Sequence, residues 1–169
     1  MGTETSLKVV EKQGVAKVIN GILQLVTFTL GQEEYAVDIL KVQEINRMKE
    51  ITRVPNSPSY VEGVINLRGK VIPVVDLRKK FDLVEKENDE QSRIMIMDIQ
   101  GITMGLVVDS VSEVLRIPSN TVEPTPPMAS NISAEFIKGI AKLEDRLIIL
   151  LDMDRLLGKT DETAMIEHT

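Results

Sequence analysis

Tyr60-Val61-Glu62-Gly63-Val64-Ile65-Asn66-Leu67-Arg68-Gly69-Lys70-Val71-Ile72-Pro73-Val74-Val75-Asp76 aligns without a gap on Phe136-Ile137-Lys138-Gly139-Ile140-Ala141-Lys142-Leu143-Glu144-Asp145-Arg146-Leu147-Ile148-Ile149-Leu150-Leu151-Asp152. Both stretches run aromatic, apolar, charged, glycine, then an apolar strand, a polar turn, a second apolar strand and an aspartate. Upstream, Tyr35-Ala36-Val37 through Val42-Gln43-Glu44-Ile45 matches Met104-Gly105-Leu106 through Val111-Ser112-Glu113-Val114, which sets Glu44 opposite Glu113. One match between hydrophobic strands arises easily by chance. Two matches in the same order argue for duplication of a small β unit.

Outward from these stretches the chain reads as short strands. Leu23 to Leu30 alternates, with Leu23, Leu25, Thr27 and Thr29 on one face and Gln24, Val26, Phe28 and Leu30 on the other. Gly31-Gln32-Glu33-Glu34 reads as a hairpin turn before a returning strand from Tyr35 to Ile39. Arg93 to Ile99, the two-residue loop Gln100-Gly101, and Ile102 to Val108 repeat that hairpin, with Gly101 suited to a positive φ. Asn66-Leu67-Arg68-Gly69 and its counterpart Lys142-Leu143-Glu144-Asp145 turn the later pairs, although Glu144 and Asp145 depart from the first copy. Pro73 is expected at an edge or a strand start, because proline has no N–H for a ladder. Short segments around Ser133-Ala134-Glu135-Phe136 and from Met153 to Leu157 are expected to form single helical turns. Val84 to Gln91 is acidic, either a linker between lobes or a surface loop.

Short strands with polar turns suit small barrels, which remove sheet edges by closure. The expectation is a mostly β fold: two packed five-stranded SH3-like β-barrels from an internal duplication, with few short helices. A flexible extension over residues 1–21 is expected to precede an intertwined two-lobed domain over 22–158, with a polar tail over 159–169.

Composition narrows the function. The chain has 169 residues, 43% hydrophobic and 27% charged, ordinary for a globular protein. It has no cysteine, which removes disulfides, thiolate metal sites and a Cys nucleophile. No apolar run approaches the ~20 residues that span a bilayer, and Met1 to Gln13 carries no signal-peptide core. A cytoplasmic protein without membrane insertion is expected. A net charge of −6, no basic cluster longer than Arg78-Lys79-Lys80 and only 3% aromatics disfavour nucleic-acid binding.

No catalytic constellation emerges. The one histidine, His168, sits at the penultimate position of a polar tail, where nothing holds a general base against a substrate. Without His in the body and without Cys, Ser-His and Cys-His pairs are absent, and the glycines form no phosphate loop. Asp76, Asp152 and Asp154 are the remaining candidates, as Mg²⁺ ligands of a metal-dependent hydrolase or as helix caps. The repetition of Asp76 as Asp152, each after an apolar strand, favours capping. No enzyme and no cofactor are therefore expected.

A β protein without a reactive group acts through its surface. Ile39-Leu40-Lys41-Val42-Gln43-Glu44-Ile45 interleaves apolar and polar residues; Val42 and Ile45 either face a groove that takes the apolar stripe of a helix or complete the core. Val111 and Val114 carry the same alternatives. Arg68, on the turn Asn66-Leu67-Arg68-Gly69, is positioned to pair with a carboxylate such as Glu44, either as a surface ion pair or as part of a binding site.

At this point the sequence resembles a family. Glu34-Tyr35-Ala36-Val37-Asp38-Ile39-Leu40-Lys41-Val42-Gln43-Glu44-Ile45, then Val61 through Arg78, then Gly105-Leu106-Val107-Val108-Asp109-Ser110-Val111-Ser112-Glu113-Val114 are similar to three blocks of the CheW family. The resemblance covers roughly Leu23 to Gly158. It implies two SH3-like barrels and a scaffold that couples methyl-accepting chemoreceptors, at their cytoplasmic tip, to the regulatory domain of the histidine kinase CheA. It also implies rings of CheW with itself and with CheA, and recruitment from the cytoplasm to membrane-associated receptor arrays. Carried onto this chain, Ile39, Val42, Glu44, Val111 and Val114 would line the receptor groove, and Glu44 with Arg68 would form the paired charges of receptor and kinase coupling. The rival within the family is a free-standing CheW-like regulatory domain of a CheA or a CheV.

Overall fold

The structure, a computed structural model, describes residues 18–19, 21–125 and 134–157. The expected tail, the first residues of the expected extension, Ser133 and His168 lie outside them. Twelve strands carry the fold: β1 (Val18–Ile19), β2 (Ile22–Leu30), β3 (Glu33–Asp38), β4 (Val42–Arg47), β5 (Val61–Leu67), β6 (Lys70–Asp76), β7 (Arg93–Ile99), β8 (Ile102–Val108), β9 (Ser110–Pro118), β10 (Val122–Glu123), β11 (Ile137–Lys142) and β12 (Leu147–Leu151). Two single-turn helices, α1 (Leu77–Lys80) and α2 (Met153–Leu156), follow β6 and β12, and Ala134–Phe136 forms a 3₁₀ turn. Among the described residues, no helix is long and apolar enough to cross a membrane.

The turns explain the hairpins. Gln100 and Gly101 both have positive φ (52° and 85°), as do Arg68 and Gly69 (52° and 84°), the geometry of the two-residue turn whose twist matches paired strands. In each, the side chain of the residue two before the turn's first position accepts from the turn glycine: Asp98 Oδ1 from Gly101 N (3.0 Å) and Asn66 Oδ1 from Gly69 N (2.9 Å). The first hairpin is tighter than its sequence implies. Leu30 pairs with Glu33, so Gly31-Gln32 alone make the turn and Glu33 and Glu34 belong to β3. The second-copy turn is longer, with Leu143 N donating to Arg146 O across it (2.9 Å).

The described strands fall into two units that exchange parts of the two copies. Of the described residues, the first unit takes those up to Leu40 and Ser112–Leu156; the second takes Lys41–Val111 and Leu157. In the second unit the strand order is β4-β7-β8-β6-β5; in the first it is β1-β2-β3-β12-β11-β10, with β9 also paired to β2. Each unit therefore joins strands of one copy to strands of the other. The registers repeat with it: β6 runs parallel to β8 with Val74 opposite Gly105, and β12 runs parallel to β3 with Leu150 opposite Ala36, the matching residues of the two copies. Gly63 opposite Val74 is repeated as Gly139 opposite Leu150, each beside an irregularity in the ladder.

The expected SH3-like class fits, but the sheets are not closed barrels. In the second unit the segment after β4 bends over and meets β5 through one isolated pair, Thr52 with Val64. In the first, the chain leaves β9 through the 3₁₀ turn Ser119–Thr121 and returns as β10 on β11. A bend interrupts the ladder where a barrel would continue it. Gly63 permits that approach: a Cβ there would lie 2.1 Å from Thr52 O, and its φ of 149° disfavours any side chain.

Pro73 departs from expectation, sitting inside β6, an inner strand between β8 and β5. The parallel ladder on β8 starts at Val74, just past the proline, whereas its counterpart on β12 starts at Ile148. Both ladders have three pairs, so the missing N–H goes with a ladder shifted past the proline and does not move the strand to an edge. The acidic segment 84–91 is a surface loop, not a linker between units, because α1 and β7 on either side belong to the same unit.

Both cores draw on both copies. Leu23, Leu25 and Ala36 pack with Ile117, Ala141, Ile148 and Leu150; Ile65, Leu67, Ile72 and Val74 pack with Ile94, Ile96 and Val107. β2 is buried on both faces from Leu25 to Phe28, which its alternation did not foretell. Within it Thr27 is fully buried, and its hydroxyl bonds both the N–H and the carbonyl of Glu113 (3.2 Å each), tying β2 to β9.

Candidate protein-binding site

Glu44 stands on β4 opposite Ile96 of β7, where Asn46 Nδ2 donates to its Oε1 (2.9 Å). Arg68 occupies the first position of the tight turn between β5 and β6, and that left-handed backbone aims its guanidinium at β4. Nη1 donates to Glu44 Oε1 (3.2 Å) and Nη2 to Oε2, a fork-on-fork pair. The Arg68 side chain remains 71% exposed and that of Glu44 27%. The Arg68 hydrogen bonds, with Asn46 second, hold the Glu44 carboxyl down at about 2, and Glu44 in turn raises Arg68. The pair is thus charged across the working pH range, fixed in direction and open to a partner. Ile45, beside Glu44, and Val71, just past the turn, are exposed apolar residues, Val71 at 73%.

The residues expected to line a groove are half-buried or exposed, each within its own unit. Val42 is half-buried on β4 and Ile45 exposed, so neither completes the core. Val111 is half-buried on β9 and Val114 is 53% exposed. Ile39 is half-buried in the 3₁₀ turn Ile39–Lys41, whose start is fixed by Leu40 N donating to Asp38 Oδ1 (2.9 Å). Ile39 and Val114 belong to the first unit, and Val42, Glu44, Val111 and Arg68 to the second.

The first unit carries a counterpart of the charge pair that the residue pattern did not reveal. Arg146 Nη2 donates to Glu113 Oε2 (2.9 Å), and its Nε lies 3.3 Å from Glu34 Oε1. Glu113 is the twin of Glu44, but the arginine sits two residues beyond the position that matches Arg68. The ungapped alignment sets an acid, Glu144, opposite Arg68. The longer second turn is the physical cause, since it carries the arginine further along the chain before β12 begins. Beside this pair lies a depression of about 690 Å³ lined by Glu33, Glu34, Lys142, Leu147 and Ile149 among others. Leu147 is 60% exposed.

A second missed pair is structural. Arg78 Nε and Nη2 donate to Asp109 Oδ1 and Oδ2 (2.8 and 2.6 Å), and its Nη1 donates to Val84 O. Both side chains are largely buried, at 14% and 16% exposed.

Two of the three carboxylates weighed as hydrolytic residues, Asp76 and Asp152, are engaged as caps, and Asp154 lies within the short helix Met153–Leu156. Asp76 Oδ1 accepts from Arg78 N (2.9 Å) at the start of α1. Asp152 Oδ1 accepts from Arg155 N (3.1 Å) at the start of α2. Burial raises Asp76, with the hydrogen bond from Arg78 opposing. Among the described residues, no three acids or histidines gather in a way that would hold a metal ion.

Known proteins are similar to most of the chain. Residues 24–161 match the CheW-like domain. The chemotaxis protein CheW of Klebsiella aerogenes is 38% identical over 145 residues, covering 86% of this chain and 87% of that protein. The chemotaxis protein CheW of Rhizobium meliloti is 34% identical over 145 residues, covering 86% and 94%. The crystal structure of the scaffolding protein TtCheW from Thermoanaerobacter tengcongensis superposes with a TM-score of 0.75 at 41% identity, covering 82% of this chain and 90% of that one.

Proposed function

This chain belongs to the CheW family of chemotaxis scaffold proteins, and from that premise we propose that it couples chemoreceptors to the histidine kinase CheA and catalyses nothing itself. As a member of that family it is a chemotaxis adaptor. The observation that carries the finer reading is the forked Glu44–Arg68 pair, exposed on a rigid two-residue turn and flanked by exposed Ile45 and Val71. A charged fork bordered by apolar side chains gives a partner both register and contact area.

In this reading Ile39, Val42, Glu44, Val111 and Val114 take the cytoplasmic tip of a methyl-accepting receptor, and Glu44 with Arg68 couples it to CheA. Holding both partners in register lets a shift in the receptor bias the kinase through shared contacts, which is a coupling free energy and not a reaction. An adaptor also needs a second surface, and the depression beside Arg146 in the first unit supplies one for the CheA regulatory domain or another CheW in a ring. The protein works in the cytoplasm and reaches the membrane only through receptor arrays.

Co-sedimentation of this chain with a receptor fragment and CheA tests the site. Arg68→Ala is expected to leave the thermal midpoint essentially unchanged and to lower the amount of kinase recovered with receptor at least tenfold, the result of about 1.4 kcal/mol lost from a coupling contact. Unchanged recovery and kinase activation with that variant would remove Arg68 from the coupling surface.

A further inference from the structure

Glu44 and its twin Glu113 each meet an arginine, but only one of the two pairs is forked. Arg68 gives one nitrogen to each oxygen of Glu44. Arg146 gives Glu113 a single bond, Nη2 to Oε2 (2.9 Å), and turns its Nε toward Glu34. The turns that carry the arginines differ in length, and the residue two beyond the glutamate differs in kind. Asn46 holds that place on β4. Continuing the match of the copies by one residue sets Leu115 of β9 opposite it, and Leu115 packs against the hydrophobic cluster of the first unit.

Strand geometry brings Asn46 to the pair. Val42, Glu44 and Asn46 are the half-buried positions of β4, and Gln43, Ile45 and Arg47 the exposed ones, so Glu44 and Asn46 share a face. Their strand partners, Ile96 and Ile94, are fully buried members of the second unit's cluster. A carboxamide at the margin of an apolar cluster needs a partner, and a carboxylate, which only accepts, obliges it to offer an N–H. Asn46 Nδ2 donates to Glu44 Oε1 (2.9 Å), the same oxygen that takes the longer arm of the fork, from Arg68 Nη1 (3.2 Å). With Oε1 held at that point the carboxylate does not turn about its last bond, and Oε2 is left facing Arg68 Nη2. Without such a tie an exposed ion pair has little to keep it in one geometry, since ordering two long side chains offsets most of their attraction.

We infer that Asn46 is a positioning residue of the coupling surface, holding the Glu44 carboxylate in the one rotation that receives both arms of Arg68. Being neutral, it orients the carboxylate without competing with Arg68 for the charge. Lys49, the other cation that bears on Glu44, acts only through its charge. That the pair serves coupling rests on the function proposed above; that Asn46 fixes the pair does not.

Two variants of the full-length protein test the inference: Asn46→Ala, and Asn46→Leu, which keeps the size of the side chain and copies the twin. In both, the Glu44 carboxyl, followed by NMR with no partner present, is expected to protonate between its intact value of about 2 and the ordinary 4.5. Protonation at the intact value would overturn the inference. Recovery of CheA with the receptor fragment is expected to fall about threefold in either variant. Asn46→Ala added to Arg68→Ala is expected to lower recovery no further than Arg68→Ala alone, because a positioning residue acts only through the group it positions. An equal loss from Asn46→Ala with and without Arg68 would give Asn46 a separate role and overturn the inference as well. If Arg68→Ala alone leaves recovery unchanged, the coupling role fails, and the carboxyl titration by itself decides whether Asn46 holds the fork.

Discussion

Arg68 and Arg78 each reach a carboxylate of the second unit with two guanidinium nitrogens, in opposite surroundings. The Arg78–Asp109 pair is largely buried, so cutting Arg78 back strands a desolvated carboxylate. Arg78→Ala is expected to lower stability by about 3 kcal/mol, read as a fall in the urea midpoint at constant slope. Arg68 is mostly exposed, and its loss is felt in partner recovery and not in unfolding. Glu44 adds a pH signature. Its carboxyl is held down from 4.5 to about 2 in the folded chain, chiefly by the Arg68 hydrogen bonds, so the pair stays charged above pH 4.5 and is neutralised only as pH falls toward 2. Carboxyl NMR titration of the intact protein is expected to find Glu44 ionised at pH 4, and protonation at an ordinary value would show that the fork does not form in solution.

At the scale of the element, the bend that replaces barrel closure depends on glycine. Gly63→Ala would drive a Cβ against the Thr52 carbonyl from a backbone that L side chains avoid. It is expected to cost on the order of 2–4 kcal/mol and to speed hydrogen exchange at Thr52 and Val64, whose N–H groups bond across the bend. Thermal melts and exchange rates check both. Elements built from local chemistry were legible in the residues. β7 and β8 end at the expected positions because Gln100-Gly101 has room for only one kind of turn. The Asp76 and Asp152 caps follow from an aspartate set between an apolar strand and a short helix. Pro73 misled because its missing N–H bears on one short stretch of ladder, not on the whole strand. Arg146 escaped because the second-copy turn is longer, so an alignment that held the strands in step carried the arginine past its counterpart.

Across the whole molecule, duplication was visible in the sequence and intertwined lobes were expected, but which strands cross between the copies was not legible. Two alike copies offer β6 a parallel neighbour in either β3 or β8, and hydrophobic pattern cannot choose between nearly identical edges. Only the long-range ladders, Val74 against Gly105 and Leu150 against Ala36, record the choice. The paired charges were partly legible, since Glu44 and Arg68 lie in the two best-matched blocks, while their fork geometry needed the turn that presents Arg68. A fold of small exposed surfaces, each fixed by a turn or a ladder, suits a protein that works by holding others together. The most direct test is the mass of the assembly in solution, measured by sedimentation velocity on a mixture of the intact protein, a receptor cytoplasmic fragment and the CheA regulatory domain. A ternary complex heavier than either binary pair is predicted. Two separate species, with this chain bound to neither partner, would contradict the account.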